Sequence, residues 1–159
     1  MVATTDWTGK HVLITGATGF IGGHLVRQLG DRGAQVYAGT SPNTESRLSS
    51  HSLAFDVRNP ETVKAAVEKA DPDVVFHLAA TGVTNPTVDP MVALVVNAGG
   101  TVNLLEALRE GDVERIVLVG TSHEYGAREA MEGLDPFSPY AASKVAAWAY
   151  GRTYWRAYG

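Results

Sequence analysis

Cysteine is absent from the 159-residue sequence. A chain without cysteine has no disulfide bond, no thiolate ligand for a metal ion and no cysteine nucleophile. The absence leaves the redox compartment open, because a cysteine-free protein is compatible with oxidising and reducing surroundings alike. We predict no metal site in this chain.

An excess of basic residues is also missing, since 13 Lys and Arg stand against 17 Asp and Glu and the formal net charge is -4. This balance argues against an overall basic surface for nucleic acid and against a polybasic patch for membranes. The N-terminal segment lacks the apolar core of a secretory signal. The longest apolar runs, at 92–96 and 74–76, are far too short to span a bilayer. We therefore expect a soluble, cytoplasmic protein with no nucleic-acid or membrane partner.

Two kinds of segment alternate along the chain, as expected for one domain of strands and helices. Short β-branched and apolar runs predict buried strands at 11–15, 35–38, 53–57, 74–79 and 115–119. Apolar residues at helical spacing predict helices at 20–29, 60–69, 90–110 and 139–158. Asn59 is a suitable N-cap ahead of Pro60. Apolar strands that alternate with helices form a parallel sheet covered on both faces. We predict an α/β fold with a doubly wound parallel sheet, the Rossmann fold, over 1–159.

Three glycines mark the turn after the first strand, in the segment TGATGFIG at 15–22. Ligands of doubly wound sheets bind outside the carboxyl ends of the strands, so this turn is a candidate site. Gly16 would permit the tight turn, Gly19 would let the backbone approach a pyrophosphate, and Gly22 would let the helix pack on the strand. The helix N-terminus would offer its free N–H groups to the phosphates. The alternative is a glycine triplet that forms only a tight turn.

The chain after the second strand lacks the acidic residue that an NAD site normally carries for the ribose hydroxyls. Ser41, Asn43 and Arg47 stand nearby instead, and hydroxyls with a guanidinium suit a 2′-phosphate. These residues favour NADP over NAD, with a solvated loop residue as the alternative for Arg47. Asp56, after the third strand, would accept a hydrogen bond from the adenine amino group or would cap the next helix.

Tyr140 and Lys144 stand one helical turn apart and share one face of the last predicted helix. A phenol is a poor base at neutral pH, but a neighbouring ammonium group and a cationic nicotinamide together favour the phenolate. Such a tyrosine is a general acid/base for an alcohol or ketone oxygen. A hydroxyl in the segment that begins at Thr121 could hydrogen-bond the same oxygen. The alternative is the surface of an ordinary amphipathic helix.

Five segments stand in the order typical of one family: TGATGFIG at 15–22, HLAA at 77–80, NAGGTVNLLEA at 97–107, GTSHEYG at 120–126 and SPYAASK at 138–144. The sequence resembles the extended short-chain dehydrogenases/reductases, specifically the nucleotide-sugar epimerases and reductases of the UDP-glucose 4-epimerase-like type. The resemblance implies an NAD(P)-dependent oxidoreductase or epimerase that acts at C4 of a nucleotide-activated sugar.

Position by position, the resemblance also implies a catalytic set and a cofactor-binding set. Tyr140 would be the catalytic acid/base, Thr121 would stand at the position of the family's catalytic serine or threonine, and Lys144 would bind the nicotinamide ribose. Asn97 would lie near the ribose side of the cofactor or would be a polar residue of helix packing. Together with Gly22, Ser41 and Arg47 from the residues themselves, the predicted cofactor-binding set is Gly16, Gly19, Phe20, Ile21, Gly22, Ser41, Arg47, Asp56, Val57, Ala79, Ala80, Thr81, Asn97, Tyr140 and Lys144.

The residues after Thr121 depart from the pattern of the family's 4,6-dehydratases, which usually carry Asp-Glu, or a Glu two residues on. Here Ser122 and His123 follow, and Glu124 comes one position late. The departure favours 4-keto reduction or epimerisation over dehydration. Ser122 and His123 are predicted to contact the substrate, with loop packing or solvent exposure as the alternative for His123. His77 is predicted to be a structural residue of its strand.

Members of this family normally continue beyond the last predicted helix with further strands and a substrate-binding lobe, and we expect this chain to lack both. The fifth strand would then be a sheet edge. The aromatic helix 139–158 and the apolar helix 90–110 predict a homodimer through these two helices. Three hypotheses stay open. The chain is an active enzyme completed by a partner chain, a fragment that binds cofactor without efficient turnover, or a shortened member repurposed for binding, assembly or another biosynthetic reaction.

Overall fold

The computed structural model describes residues 6–42, 44, 51–85, 87–126 and 133–159. Parallel strands form one five-stranded sheet in the order β3-β2-β1-β4-β5. The strands are β1 (His11–Thr15), β2 (Gln35–Thr40), β3 (His51–Ala54), β4 (Val74–His77) and β5 (Arg115–Leu118). The strand order reverses between β1 and β4, and ligands of such sheets bind at this switch point. The predicted doubly wound α/β fold is confirmed.

Helices connect most of the strands and cover both faces of the sheet. They are α1 (Phe20–Gly30), α2 (Pro60–Ala70), α3 (Pro90–Ala93), α4 (Gly100–Leu108) and α5 (Pro139–Tyr158). A π-helical segment, Leu94–Gly99, joins α3 to α4, so that the long helix Pro90–Leu108 is continuous. A 3₁₀ turn, Ser122–Tyr125, follows β5.

Three helices begin with the same local chemistry, a short polar N-cap followed by proline. Asn59 accepts hydrogen bonds from the N–H groups of Glu61 and Thr62, at 3.0 and 3.4 Å, which confirms the predicted cap of α2. Asp89 caps α3 and Ser138 caps α5 in a similar way. Proline suits the first helical position because its missing N–H would have no partner there.

Alternate residues of the central strand β1 point into two separate cores. Val12 and Ile14 pack with Val26 of α1 on one face of the sheet. Leu13 packs with Leu104 of α4 on the other face. A strand that is covered on both faces needs apolar side chains at every position, which explains the unbroken apolar run of β1.

Several strand boundaries differ from the prediction, and the early ends shape the site. β3 ends at residue 54 rather than 57, β4 at 77 rather than 79, and β5 at 118 rather than 119. After β4, the hydroxyl of Thr15 accepts hydrogen bonds from the N–H groups of Leu78 and Ala79, at 3.2 and 3.1 Å. These bonds draw the chain across the end of β1. The apolar sequence continues past the last ladder pair, so the pattern alone predicted longer strands.

The long helix Pro90–Leu108 is long and apolar enough to cross a membrane, judged by length and composition. It nevertheless packs against α2 and α5, and Ala98, Leu104 and Leu108 are buried in the fold. A core helix passes the same test, so the feature is weak evidence for a membrane span. The predicted absence of a membrane partner stays a prediction.

The strand β5 is an edge of the sheet in the described part of the chain, as predicted. α5 comes close to it at Gly151, where a Cβ would lie 2.5 Å from Leu118 Cδ1. The main packing of α5 is against the long helix.

Candidate functional site

The turn between β1 and α1 depends on three glycines in three different ways. Gly16 has a φ of +68°, and a Cβ there would lie 2.7 Å from Ala79 N. A Cβ on Gly22 would collide with Gly16 O, so only glycine lets α1 approach the turn this closely. Gly19 is exposed, and a Cβ on it would lie 3.2 Å from Gly16 O. No described side chain caps α1, so the N–H groups of its first turn are available to an anion.

A cleft of about 480 Å³ lies at the carboxyl ends of the strands, beside this turn. The cofactor-binding residues predicted from sequence that line it are Gly16, Gly19, Ser41, Asp56, Val57, Ala79 and Ala80. Phe20 and Ile21 stand outside the lining, 86% and 60% exposed at the start of α1. Lining residues that the sequence interpretation did not name are Thr15, Thr18, Gly39, Thr40, Pro42, Phe55, Arg58, Leu78 and Val96. Most of these residues lie at the carboxyl end of a strand or just after it. That position is the signal that could have found them.

Arg58 is the one basic residue in the described lining of the cleft. Its Nε donates to Asp56 Oδ1 and Oδ2, at 2.9 and 3.0 Å, and its Nη2 donates to Oδ2 at 2.6 Å. The hydrogen bonds from Arg58 hold the pKa of Asp56 below its usual value. Asn59, and not Asp56, caps α2, so the cap considered for Asp56 is wrong. The Asp56 carboxylate, which is predicted to contact adenine, is therefore already paired with the Arg58 guanidinium.

The residues behind the NADP preference are described only in part. The Ser41 hydroxyl shares a hydrogen bond with Thr44 Oγ1 at 2.8 Å. Asn43 and Arg47 lie outside the described residues. The guanidinium that the described residues place in the cleft is that of Arg58.

A buried chain of hydrogen bonds runs behind the cleft from β1 to the long helix. Thr15 Oγ1 lies 2.7 Å from His77 Nδ1, and His77 Nε2 lies 3.1 Å from Thr101 Oγ1. Thr101 Oγ1 donates to Asn97 O at 2.6 Å. Burial, with the charge of Lys144 as the smaller cause, lowers the pKa of His77 to about 3. These contacts support the structural role predicted for His77.

Asn97, in the π-helical segment, ties the cleft to α5. Its Oδ1 accepts from Thr81 N at 2.8 Å, and its Nδ2 donates to Thr81 O at 3.0 Å and to Ser143 Oγ at 2.9 Å. The side chain is buried and does not line the cleft. This geometry supports the second role considered for Asn97, a polar residue of packing. It also shows that the Thr81 backbone serves the same bridge.

Tyr140 and Lys144 are both buried on α5, at 7% and 5% exposure. The described residues give neither the Tyr140 hydroxyl nor the Lys144 ammonium a hydrogen-bond partner, and neither atom is sealed from solvent. Burial lowers the pKa of Lys144, and the charge of Glu124 acts in the opposite direction. The two side chains therefore form a buried pair with polar atoms available to a ligand.

The 3₁₀ turn after β5 carries the remaining predicted residues. Thr121 Oγ1 accepts from His123 N at 3.3 Å, and Thr121 N donates to Glu124 Oε1 at 2.9 Å. Ser122 and His123 are exposed, and the His123 ring lies edge-on to the Tyr140 ring with centroids 6.4 Å apart. The turn thus brings His123 to Tyr140, while Glu124 points inward. The pattern T-x-x-E at 121–124 is a capping-box signature that sequence reasoning missed.

Residues 12–159 match the sequence model of the NAD dependent epimerase/dehydratase family. The chain belongs to this family. The match confirms the family resemblance carried by the motifs. In the described part of this family member, no group of three or more His, Asp or Glu side chains is suited to a metal ion.

Both branches named in the family description occur among curated relatives. UDP-glucose 4-epimerase of Mycolicibacterium smegmatis is 37% identical over 159 residues, covering 89% of this chain and 50% of the relative. CDP-glucose 4,6-dehydratase of Salmonella typhimurium is 31% identical over 161 residues, covering 91% and 45%. The chain spans about half the length of the curated relatives it matches.

Solved structures of epimerases share the fold. The complex of Thermus thermophilus UDP-glucose 4-epimerase with NAD superposes with a TM-score of 0.79 at 35% identity, covering 93% of this chain and 51% of that one. UDP-glucose 4-epimerase from Brucella ovis in complex with NAD gives a TM-score of 0.85 at 26% identity, covering 95% and 49%.

Proposed function

We propose that residues 1–159 form one NAD(P)-binding domain of a cytoplasmic epimerase or reductase that acts at C4 of a nucleotide-activated sugar. The observation that carries the proposal is the buried pair Tyr140 and Lys144. Ser143, between them on α5, accepts a hydrogen bond from Asn97, and Asn97 accepts one from Thr81 N in the loop after β4. The same loop lines the cleft through Ala79 and Ala80. Curated relatives named UDP-glucose 4-epimerase and CDP-glucose 4,6-dehydratase support the substrate class.

The cleft fits a nicotinamide dinucleotide. Gly16 and Gly19 keep free the space that side chains would fill beside the N-terminus of α1, where a pyrophosphate would bind. Asp56 and Val57 would hold the adenine, and Ala79 and Ala80 also line the cleft. The further proposed contacts are Phe20, Ile21, Gly22, Ser41, Arg47 and Thr81, whereas Asn97 would support the cleft from behind through its bonds to Thr81. Relatives solved with NAD favour NAD, whereas the missing acid after β2 favours NADP.

The catalytic roles follow from where the polar atoms lie. Bound in the cleft, the dinucleotide would supply reversible hydride acceptance. Tyr140 would take or return the proton of the sugar hydroxyl at its phenolic oxygen, and Lys144 would stabilise the phenolate. Thr121 Oγ1 accepts from His123 N, so its own proton is free to be donated to the same sugar oxygen. Ser122 and His123 would contact the sugar.

Titration with NADH and NADPH, followed by nucleotide fluorescence, tests the cleft. Saturable binding of one of them is expected, and the tighter of the two settles the cofactor. Gly16→Ala should abolish binding, because its Cβ would meet the backbone of Ala79. Gly9→Ala is the matched control, since Gly9 also has a positive φ, of +75°, but nothing lies within 4 Å of a Cβ there. Absence of binding to both nucleotides would refute the proposal.

Replacement of the phenol tests the acid/base. Tyr140→Phe is expected to reduce turnover of UDP-glucose by about a hundredfold or more, with the dissociation constant for the nucleotide unchanged. Tyr150→Phe is the control, because Tyr150 is 49% exposed on the same helix. Turnover that survives in Tyr140→Phe at the wild-type rate would exclude Tyr140 as the acid/base.

A second candidate function is binding of a dinucleotide, or of a partner, without net redox turnover. The observation that favours it is the exposed apolar surface of the long helix, where Met91 and Leu94 are 62% and 47% exposed. The same two experiments separate the candidates. Nucleotide binding without any turnover of UDP-glucose supports the second candidate, and turnover excludes it.

The proposed protein partner is a second copy of this chain. Met91, Leu94 and Val95 of the long helix are 62%, 47% and 42% exposed and stand at helical spacing. Trp148 and Trp155 belong to the aromatic helix that was also predicted to form the dimer, and they line a groove beside β5. The long helix therefore offers the apolar face that a second copy would cover.

Sedimentation equilibrium tests this partner. A mass of twice 16.9 kDa is expected for the wild type, and Val95→Glu should shift it to the monomer. Lys64→Glu, on the exposed surface of α2, is the control and should leave the mass unchanged. A wild-type monomer at the highest concentration measured would contradict the proposed dimer.

A further inference from the structure

Glu124 is a buried carboxylate that the proposed chemistry does not use. Among the described residues it is the only buried acid, and Lys144 is the only buried lysine or arginine. A buried acid costs free energy unless hydrogen bonds or an opposite charge compensate for its lost hydration. The 3₁₀ turn that carries Glu124 packs against α5, which carries Lys144, so the single buried acid and the single buried lysine stand on neighbouring elements.

The first action of this carboxylate is to hold the 3₁₀ turn in shape. Glu124 Oε1 accepts from Thr121 N at 2.9 Å and closes the capping box. Gly120 leaves room for it, because a Cβ on Gly120 would lie 2.9 Å from Glu124 Oε1. The Glu124 carbonyl accepts from Asp135 N at 2.9 Å, which fixes the turn to the chain that leads into α5. The orientation of Thr121 is therefore set by Glu124.

The second action is electrostatic. Burial lowers the pKa of Lys144, and the charge of Glu124 opposes this effect. The ionisable groups that face Lys144 are Glu124 from the 3₁₀ turn, His77 from β4, and Tyr140 one turn earlier on α5. Among these three groups, Glu124 is the only carboxylate. Its charge favours the ammonium form of Lys144.

We propose that Glu124 is a positioning residue of the Tyr140–Lys144 site: its carboxylate fixes the orientation of Thr121 and supplies the counter-charge for Lys144. Its catalytic consequence rests on the proposed function, but both actions belong to the chain without cofactor. The oxygen Oε1 is held by Thr121 N. This assigns a role to the glutamate that comes one position late after Thr121.

Two substitutions separate the two actions. Glu124→Gln keeps an oxygen acceptor of the same reach but removes the charge, whereas Glu124→Asp keeps the charge but withdraws the oxygen from Thr121 N. Glu68→Gln, an exposed acid on α2, is the control. The chain has four lysines, so ¹³C NMR of their ε-carbons resolves the titration of Lys144 in the chain without cofactor. Amide hydrogen exchange reports the bond at Thr121 N.

Glu124→Gln is expected to lower the titration midpoint of Lys144 by about 1 pH unit and to leave exchange at Thr121 N as slow as in the wild type. Glu124→Asp is expected to speed that exchange by about tenfold, with the Lys144 midpoint close to the wild-type value. Glu68→Gln should change neither quantity. An unchanged Lys144 midpoint in Glu124→Gln overturns the proposal, and so does unchanged exchange in Glu124→Asp.

Nucleotide titrations of the same samples keep this proposal separate from the proposed function. Failure of the wild type to bind NADH or NADPH would refute the proposed function and leave both NMR readouts intact. Normal nucleotide binding with unchanged NMR readouts would refute only the role of Glu124. Circular dichroism of each variant confirms that the comparison is between folded chains.

Discussion

Mild acid is expected to destabilise this protein through one residue, His77. Thr15 Oγ1 accepts from two backbone N–H groups after β4, so its own proton points to His77 Nδ1. The proton of the neutral imidazole then lies on Nε2 and is donated to Thr101 Oγ1, whose own proton goes to Asn97 O. A second proton, at Nδ1, would face another donor. The network therefore accepts only the neutral ring.

The size of the effect follows from the pKa of His77, about 3 in the fold against 6.5 for an unperturbed histidine. Because the folded value is the lower one, the unfolded chain binds the extra proton first. Stability that is fully present above pH 6.5 is lost as the pH falls toward 3. One pKa unit corresponds to about 1.4 kcal/mol. Between about pH 7 and about pH 5, the free energy of unfolding should fall by about 2 kcal/mol through His77 alone.

Urea unfolding at these two pH values, followed by circular dichroism, measures the loss. His77→Asn loses buried contacts and is expected to be less stable at both pH values. Its free energy of unfolding should nevertheless fall by about 2 kcal/mol less than that of the wild type between them. His24→Asn, an exposed position on α1, is the control and should keep the wild-type difference. Equal pH dependence in the wild type and His77→Asn would refute the reasoning.

Three further substitutions probe the cleft and its supports. Gly22→Ala should lower the free energy of unfolding by about 2 kcal/mol or more, because its Cβ would collide with a backbone carbonyl. Gly23→Ala is the control, since a Cβ there would lie 3.6 Å from the nearest atom. Comparison of the urea midpoints of the two variants tests the prediction. Asn97→Ala should cost about 3 kcal/mol in urea unfolding, because it leaves buried groups of the bridge to α5 unpaired, and a cost near zero would contradict the bridge. Arg58→Ala should leave stability almost unchanged, since the Arg58 side chain of the pair is exposed. It should also raise the pKa of Asp56 toward 3.8, and an NMR titration of that carboxyl group checks the direction.

Local chemistry made some of the structure predictable from sequence. Asn59 followed by Pro60 carries its own capping geometry, and the structure has that cap. The glycine turn was predictable for the same reason, because each glycine answers a steric demand within a few residues or at the neighbouring strand end. The capping box at Thr121 and Glu124 was present in the sequence as T-x-x-E and was missed because Glu124 was compared with a catalytic pattern only.

Other features depend on residues far apart in sequence. β4 ends where the N–H groups of Leu78 and Ala79 donate to the hydroxyl of Thr15. No sequence pattern near residue 77 predicts that contact. Asn97 finds its partners in Thr81 and Ser143, which only the packing of the long helix against α5 brings together. The pair Arg58 and Asp56 depends on the shape of the turn after β3, which the residue types alone do not define.

The π-helical segment Leu94–Gly99 has a consequence for how this sequence can change in length. A π segment holds an extra residue relative to an α-helix, and each α-helical residue turns the chain by about 100°. The wider turn absorbs that residue, so deletion of one exposed residue from the segment would restore a regular helix and leave α3 close to its present angle relative to α4. Ala93, which precedes the segment, and Thr101, which follows it, are both buried and would stay on the same face. A one-residue deletion at an exposed position of the segment is therefore tolerable, whereas the same deletion within α4 would rotate α3 by about 100° relative to the rest of α4.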